Sequence, residues 1–317
     1  MRVAYYAPVD TGIESGVMKK IVGQVTVWQQ MGIDARIFAY TSSSRVWEGI
    51  PRDSFESVTR GGLTVRLIRV ARLVRRIIQW RPDLVYMRQG FYYPPLEYLM
   101  RRVRTIVEVN TLDVREAQLY LGRIKRSYYL ATRSRLLRNA AGLVCVTEEI
   151  ARALAELPVP ITVVPNGIDL SAYRPLEALV SPSPRLVFIG HEWDGSAMLS
   201  YRYQGIDKIL RLARAFPTWR FDIVGYQSRG QALPNVRLAG HLSRLEYEKI
   251  LACADVAVGT LGLHVKGMDE ACPLKVREYL AYGIPTIIGY QDTDFPHGAP
   301  FLLRLPNTSD NVDKNLD

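Results

Sequence analysis

Short apolar segments alternate with helix-like segments along almost the whole chain, and this alternation limits the fold more than any other feature. Each apolar segment is five or six residues long. Short buried strands joined through helices form parallel sheets with right-handed crossovers. The expected strands are VAYYAP (3–8), ARIFAY (35–40), DLVYM (83–87), TIVEV (105–109), GLVCV (142–146), ITVVP (161–165), RLVFIG (185–190), RFDIVG (220–225), VRLAG (236–240), DVAVGT (255–260) and PTIIGY (285–290).

Helical periodicity predicts the segments that connect these strands. A polar loop is expected after the second strand, through about residue 60. The expected helices cover about 17–31, 66–81, 94–102, 114–138, 205–215, 244–252 and 273–282, with one short helix after residue 146.

The strand and helix series occurs twice, and a Ser/Pro-rich stretch, SPSPR (181–185), lies near the junction. A chain of 317 residues with 48% hydrophobic residues has enough material for two cores. We therefore expect an α/β fold of two Rossmann-like domains facing a central cleft. The expected domains are residues 1–164 and 165–317.

The net charge of +10 is concentrated in the first half of the chain. Residues 1–160 hold 25 Lys and Arg against 14 Asp and Glu, whereas residues 161–317 hold 16 against 17. The segments 66–81 and 123–138 have the pattern of basic amphipathic helices. Such helices lie on an anionic membrane, meet an acidic partner or simply present a solvated face. No nucleic-acid-binding module is visible, so nucleic acid is not an expected partner.

Other classes of protein are not expected from the sequence. Cys145, Cys253 and Cys272 have no metal-binding spacing, and an odd number of cysteines argues against a disulfide framework. No window approaches 18 uncharged apolar residues, and the first segment is typical of a strand and not of a signal peptide. We expect a cytoplasmic protein that contacts the inner membrane leaflet through its basic face.

The segment EACPLKVREYLAYGIPTI (270–287) contains a helix start that suits an anion. Its pattern predicts a helix from Pro273 to Tyr282. Cys272 precedes the helix, so no Ser, Thr, Asp or Asn side chain accepts hydrogen bonds from the first amides. Free amides at the positive end of the helix dipole, with Lys275 in the first turn, predict a phosphate site.

Polar residues follow many of the expected strands. Ligands of open α/β sheets bind beyond the carboxyl ends of the strands, so these positions are candidate site positions. They are Asp10–Gly16, Arg88–Gln89, Glu108–Asn110, Thr147, Asn166–Asp169, His191–Trp193, Gly225–Gln227 and Thr260–Glu270.

Two motifs in this order resemble one family. VVPNGID (163–169) resembles the interdomain segment of the family-4 glycosyltransferases (glycosyl transferases group 1), and 270–287 resembles their motif of two glutamates separated by seven residues. The segments 10–21, 81–88 and 220–225 extend the resemblance over nearly the whole chain. The resemblance implies the GT-B fold and retaining, metal-independent transfer of a sugar from a nucleotide-sugar such as a UDP- or GDP-sugar.

The resemblance also implies roles for residues of the donor domain. Glu278 matches the glutamate that binds the ribose hydroxyls, and the alternative is a salt bridge to Lys275 three residues earlier. Glu270, with the amides of Ala271 and Cys272, matches the positions that contact the donor sugar. Lys275 is expected to contact the diphosphate. Four further residues are assigned to nucleotide-sugar binding: Gly16, Gly190, His191 and Tyr226.

The chain departs from the family pattern where Arg and Lys usually neutralise the leaving diphosphate. His191 stands at the arginine position and Gln204 at the lysine position. Arg202 or Lys275 could supply the missing charge, which is usually the largest catalytic contribution. Lys19 and Lys20 are expected to be surface charges. The family also usually ends with a helix that crosses back to the first domain, so residues 165–317 are expected to lack their final helices.

The first domain is expected to bind the acceptor. A histidine common in the family is absent there, and EVNTLD (108–113) occupies its place. Asn110 could donate to a hydroxyl, Glu108 could be a base or a structural acid, and Arg88 could contact the acceptor or a phosphate. Asp292-Thr293-Asp294 has the form of a D-x-D metal motif, but it falls in a late loop and no metal is expected.

These features together predict a retaining glycosyltransferase of cell-surface polysaccharide or glycoconjugate synthesis. The predicted catalytic residues are Glu270, Lys275, Arg202 and Asn110. The expected acceptor is a glycan or a polyprenyl-linked glycan, whose hydroxyl attacks the donor sugar from the front face. Two alternatives stay open: an epimerase or hydrolase of sugar nucleotides on the same scaffold, and a catalytically weak sugar-nucleotide-binding subunit.

Overall fold

The protein folds into two compact units, Met1–Gly167 and Ile168–Asp317. The structure is a computed structural model. It describes residues 1–12, 15–177, 179, 182–190, 197–227 and 233–315.

Unit 1 contains a seven-stranded sheet in which all neighbouring strands are parallel. Its strands are β1 (Arg2–Ala7), β2 (Asp34–Thr41), β3 (Phe55–Thr59), β4 (Leu84–Arg88), β5 (Thr105–Val109), β6 (Gly142–Cys145) and β7 (Ile161–Val163). Its helices are α1 (Gly16–Gln30), α2 (Leu63–Trp80), α3 (Pro94–Met100), α4 (Asp113–Tyr120), α5 (Arg123–Arg138) and α6 (Glu148–Leu154). The spatial order is β3-β2-β1-β4-β5-β6-β7, so the direction of winding reverses between β1 and β4.

The central strands of unit 1 are buried on both faces, which explains why they read as continuous apolar runs rather than as alternating ones. In β1, every residue from Val3 to Ala7 is buried. Met18, Ile21 and Val25 form the buried stripe of α1, and they pack in the same core as Tyr5. Burial of this stripe fixes the rotation of α1 and therefore where its remaining side chains point.

Unit 2 contains a six-stranded parallel sheet and a separate pair of short strands. The sheet has the order β10-β9-β8-β11-β13-β15. The strands are β8 (Arg185–Ile189), β9 (Arg220–Val224), β10 (Val236–Gly240), β11 (Val256–Val258), β12 (Glu270–Ala271), β13 (Thr286–Ile288), β14 (Gln291–Asp292) and β15 (Leu302–Arg304). The helices are α7 (Ala197–Gln204), α8 (Ile206–Ala215), α9 (Arg244–Leu251) and α10 (Leu274–Ala281).

The last segment of unit 2 is tied to α8 by a buried lysine. Lys208 Nζ donates to the Thr308 carbonyl at 2.5 Å and to Asn311 Oδ1 at 2.7 Å. Burial lowers the pKa of Lys208 to about 8. The Asn311 side chain in turn donates to the Leu261 carbonyl at 3.1 Å, so the chain end and the loop after β11 are linked.

The predicted α/β architecture is confirmed by the two parallel sheets. The expected polar loop through residue 60 was wrong in part, because FESVT forms the edge strand β3 and pairs with β2. The expected helix 114–138 is two helices, since Gly122 caps α5 and interrupts the helical backbone. β12, β14 and β15 were not predicted, since each has only two or three residues. Among the described residues, no helix combines the length and apolar character needed to cross a bilayer.

Candidate functional site

The start of α10 is built without a side-chain cap. Pro273, expected as the first helical residue, is instead the extended residue before it, with φ −72° and ψ 135°. A proline side chain accepts no hydrogen bond, and the first turn contains no acid. Tyr279 fixes the helix against the sheet, because its hydroxyl accepts from the Ile189 amide at the end of β8 at 2.7 Å. The amides at the start of α10 are therefore held at the carboxyl end of the strands, as the sequence predicted.

Lys275 carries the positive charge of this region. Its Nζ donates to Gln204 Oε1 at 2.6 Å and lies 4.0 Å from the centroid of the Phe188 ring. No carboxylate among the described residues pairs with it, and its partner Gln204 is neutral. Burial lowers the pKa of the Lys275 ammonium to about 7. The chain thus places the ammonium of α10 directly beside position 204, where the family resemblance calls for a lysine.

Glu278 lies one turn further along α10 and is 8% exposed. The hydroxyl of Tyr173 donates to its Oε1 at 3.1 Å and that of Tyr247 to its Oε2 at 3.4 Å. Tyr173 follows the VVPNGID segment, so the two recognised motifs meet at this carboxylate. Among the described residues, Lys275 forms no salt bridge with Glu278, the alternative that the spacing allowed. Its ammonium donates to Gln204 instead.

Glu270 and Cys272 precede the helix. Glu270 is buried on β12, which pairs with β14. The Cys272 thiol is also buried, and burial raises its pKa to about 11. A protonated thiol is a poor nucleophile, so the Cys272 sulfur is not suited to nucleophilic attack at neutral pH.

The two aspartates of the D-x-D sequence form salt bridges with an arginine. Arg277 of α10 donates to both oxygens of Asp292, at 2.6 and 3.0 Å, and its guanidinium lies 2.7 Å from Asp294. Asp292 and Arg277 are both buried. Among the described residues, no group of three or more His, Cys, Asp or Glu side chains is arranged to hold a metal ion. The two aspartates therefore fasten the β14 loop to α10.

The residues expected near the first strand of the donor domain differ in their burial, and one of them lies outside the described residues. Gly190 follows β8, and a Cβ there would lie 2.5 Å from the Phe188 ring and 2.9 Å from the Tyr226 ring. Tyr226 is buried against Phe188. Arg202 is exposed at the end of α7. His191 lies outside the described residues. The predicted roles of Arg202 and His191 stay predictions.

Glu108 of unit 1 lies in a cluster of charged and hydroxyl groups. It bonds Lys20 Nζ, accepts from Tyr5 at 3.3 Å and from Tyr86 at 3.2 Å, and lies 3.7 Å from Arg88. Burial disfavours its charged form, but Lys20 and then Arg88 hold its pKa below the ordinary value. A carboxylate with this many hydrogen bonds is a weak base. Of the two roles predicted for Glu108, base or structural acid, the structure favours the structural acid.

In unit 1 the structure corrects the expectation for Lys20 and shows the surroundings of Asp113 and Gly16. Lys20, expected at the surface, is 10% exposed and also donates to Asn110 Oδ1 at 3.2 Å. Asp113 is held by Arg133 through two bonds of 2.5 and 2.9 Å. Gly16 is the first residue of α1, and Ser15 caps that helix.

Sequence reasoning missed Lys20 and the partnership of Lys275 with Gln204. Lys20 contacts a residue 88 positions away, and Gln204 contacts one 71 positions away. The place of Lys20 in the helix that follows β1 was the one available signal, because such helices start at the ligand edge of the sheet.

Comparisons with known proteins agree on the fold. Residues 22–172 match the family model described as Glycosyltransferase Family 4. Sucrose-phosphate synthase from Thermosynechococcus elongatus has a similar structure, with a TM-score of 0.71 and 14% identity, covering 100% of this chain and 88% of that one. The apo form of the lipopolysaccharide outer core galactosyltransferase WaaB has a TM-score of 0.64 and 12% identity, covering 100% and 88%.

A third similar structure, from E. coli, is described as trehalose-6-phosphate bound with UDP-2-fluoro glucose. Its TM-score is 0.65 at 13% identity, covering 100% of this chain and 90% of that one. No match was found among the curated proteins. The predicted resemblance to the family-4 glycosyltransferases and the GT-B fold class are confirmed by these findings.

Proposed function

We propose that this chain, which has the GT-B fold and matches Glycosyltransferase Family 4 over residues 22–172, is a retaining glycosyltransferase that uses a nucleotide-sugar donor. The observation that carries the proposal is the start of α10. There the Lys275 ammonium, which has no carboxylate partner within the described part of the chain, stands beside amides that no side chain caps.

This arrangement suits a diphosphate. Uncapped amides at a helix N-terminus donate to anions, and the helix dipole adds a partial positive charge. Lys275 adds a full charge when it is protonated. A carboxylate there would have satisfied the lysine, but the acids of α10 and β14 are held elsewhere, Glu278 by two tyrosines and Asp292 by Arg277. The Lys275 ammonium therefore keeps hydrogen-bonding capacity for an anion at the helix start.

The two glutamates complete the donor site in this proposal. Glu278 lies beyond the diphosphate along α10 and receives the ribose hydroxyls, and Glu270 lies before it and contacts the sugar. Tyr173 and Tyr247 hold the Glu278 carboxylate in one orientation. We propose a UDP-sugar as the donor, since one similar structure is described as bound with UDP-2-fluoro glucose.

Catalysis in this proposal consists of positioning and charge stabilisation. The leaving diphosphate gains negative charge as the glycosidic bond breaks, and Lys275 with the α10 amides stabilises it. The leaving phosphate oxygen accepts the proton of the incoming hydroxyl, so no protein base is needed. Metal independence is part of the proposal, and the use of Asp292 and Asp294 by Arg277 supports it.

The acceptor is proposed to be lipid-linked and to reach unit 1 from an anionic membrane. Ile124, at the start of α5, is 88% exposed and lies between the exposed Arg123 and Lys125. Tyr128 and Leu130 of the same helix are also exposed. Apolar side chains flanked by cations insert at a lipid interface while the charges meet anionic headgroups.

The test of the function is a screen of donors followed by turnover. UDP-, GDP- and ADP-sugars are tested for thermal stabilisation of the full chain, since a ligand at 100 times its Kd adds about 2.7 kcal/mol. The stabilising donor is then incubated with and without polyprenyl-linked glycans. Transfer that needs the acceptor supports the proposal. Donor turnover without any acceptor would indicate the epimerase or hydrolase, and binding without turnover would indicate the binding subunit.

A further inference from the structure

The Glu108 cluster lies where an open α/β sheet binds ligands. The strand order of unit 1 reverses between β1 and β4, and ligands of such sheets bind at this switch point, beyond the carboxyl ends of the strands. Arg88 is the last residue of β4, and Asn110 directly follows β5. Lys20 reaches the same place from the second turn of α1.

Lys20 and Arg88 both face the Glu108 carboxylate. Its Oε1 accepts from Lys20 and Tyr86, and its Oε2 accepts from Tyr5. The carboxylate therefore has hydrogen bonds to both oxygens before Arg88 is counted.

Arg88 is the cation that remains available. Its Nη1 lies 3.7 Å from Glu108 Oε2, too far for a hydrogen bond, and the guanidinium makes none within the part of the chain that the structure describes. The side chain is 21% exposed, so a ligand can reach it. A guanidinium offers five donors in a planar fork that fits the oxygens of a phosphate.

Asn110 adds a second donor at the same place. Its Oδ1 accepts from Lys20 at 3.2 Å. Nδ2 is buried, lies near the Glu108 carboxylate, whose pKa it helps to lower, and has no well-aligned hydrogen-bond acceptor among the described residues. A buried donor without an acceptor is costly, so the position favours a ligand that supplies oxygen.

A structural role alone does not account for this arrangement. Lys20 and the two tyrosines would be sufficient to hold Glu108 in the core. The additional guanidinium and the amide present donors and no acceptor, so they suit a group with several acceptor oxygens better than a sugar hydroxyl, whose own proton would find no acceptor there. A group with several oxygens and a negative charge uses both donors.

We infer that Arg88 and Asn110, with Lys20 behind them, bind a phosphate group of the substrate that unit 1 accepts. The inference rests on the proposed function, since it names the chemistry of the acceptor. In this arrangement Lys20 and Glu108 are positioning residues, and Arg88 and Asn110 touch the phosphate. The phosphate belongs either to a soluble sugar phosphate or to a polyprenyl phosphate.

The test measures binding to the full chain by titration calorimetry. Glucose 6-phosphate is compared with glucose, and polyprenyl phosphate in detergent micelles is compared with polyprenol. Each titration is repeated in the Lys275→Met variant, so that phosphate bound at α10 is not counted. We expect one phosphorylated probe to bind at least about tenfold more tightly than its neutral counterpart, and Arg88→Met to remove this advantage.

Two further variants complete the design. Arg75→Met removes an exposed arginine of α2 and is expected to leave binding unchanged. The double variant Lys20→Met with Glu108→Gln removes the buried pair without leaving a lone charge, and it is expected to weaken phosphate binding even if Lys20→Met alone does not fold.

Either phosphorylated probe supports the inference, and the one that binds identifies the source of the phosphate. The inference is wrong if neither phosphorylated probe exceeds its neutral counterpart, or if Arg88→Met binds as the unchanged chain does. Failure of the proposed function is seen separately, as absence of nucleotide-sugar binding, because Arg88→Met is expected to leave UDP affinity unaltered.

Discussion

Replacing Lys275 with methionine is expected to weaken the binding of UDP by about 10- to 150-fold while leaving the binding of uridine unchanged. The range follows from the contribution of a hydrogen bond to a charged group, about 1.5–3 kcal/mol. Methionine keeps the length of the side chain and its packing on Phe188, which lies 4.0 Å from the ammonium. The loss is therefore assigned to the charge and not to a cavity.

The position of the charge can be tested by exchanging two residues. Lys275 Nζ and Gln204 Oε1 are 2.6 Å apart, so Gln204→Lys with Lys275→Gln moves the ammonium by about the length of one hydrogen bond. The exchanged variant is expected to recover most of the UDP affinity that Lys275→Met loses. Lys249→Met, at an exposed lysine of α9, serves as the matched control.

The assay is titration calorimetry with UDP and with uridine on each variant. Uridine lacks the diphosphate, so it reports the integrity of the remaining site. Equal losses for both ligands would mean that Lys275→Met disturbs the fold of the site. Unchanged UDP affinity in the same variant would refute the assignment of the diphosphate to α10.

The pH dependence gives an independent measure of the same group. Burial lowers the pKa of Lys275 from 10.5 to about 7, and the phosphate prefers the protonated form. UDP affinity should therefore fall as the pH rises above about 7, and Lys275→Met should be flat. Between pH 7 and 10.5 the unfolded chain binds more protons at this lysine than the folded chain, so its burial costs most stability below pH 7 and less as the pH rises. A UDP affinity that rises with pH would contradict this.

Three further changes test other parts of the molecule. Arg277→Met leaves the buried Asp292 carboxylate without its arginine, and denaturant unfolding should show a loss of about 3–5 kcal/mol. Ile124→Asp should reduce flotation of the protein with anionic vesicles, and added salt should reduce it further. Gly190→Ala places a Cβ 2.5 Å from Phe188 and should cost about 1–3 kcal/mol in thermal unfolding.

Each of these changes has a matched control. Asp255→Asn alters an acid outside the Arg277 cluster and should cost less than Arg277→Met. Leu303→Asp changes an exposed leucine of β15, 59% exposed, and should leave flotation as it is. Gly122→Ala meets no atom within 4 Å and should be close to neutral. If a control variant changed the measurement as much as its test variant, the structural explanation for that test variant would be wrong.

The alternation of strands and helices was sufficient to predict all strands of the two sheets except β3 and β15, because buried parallel strands are apolar along their whole length. TIVEV at 105–109 and VRLAG at 236–240 agree with β5 and β10 to the residue. FESVT was not recognised, since an edge strand with Glu56 and Ser57 has no continuous apolar run. The break at Gly122 was missed because a single glycine does not by itself end a helical pattern.

The candidate site could be predicted from the sequence only in part. The uncapped start of α10 could be predicted, because a proline after a cysteine is a local feature. The partners of Lys275, Glu278 and Arg277 could not, since they come from segments 71, 105 and 15 positions away. Local periodicity carries no information on which distant side chain will satisfy a buried charge. Lys20 is an example, since the residues near it in the sequence do not indicate its contact with Glu108.

The buried lysine of α8 links residues 308–311 to the region that is proposed to bind the donor. Asn311 accepts from Lys208 and donates to the Leu261 carbonyl, and the Leu261 amide donates to the Gln204 carbonyl at 3.2 Å. A protease that clipped the polypeptide after Leu305 would thus remove the brace of the residue that orients Lys275. We expect a clipped molecule to lose its affinity for UDP at temperatures where its sheets are still intact.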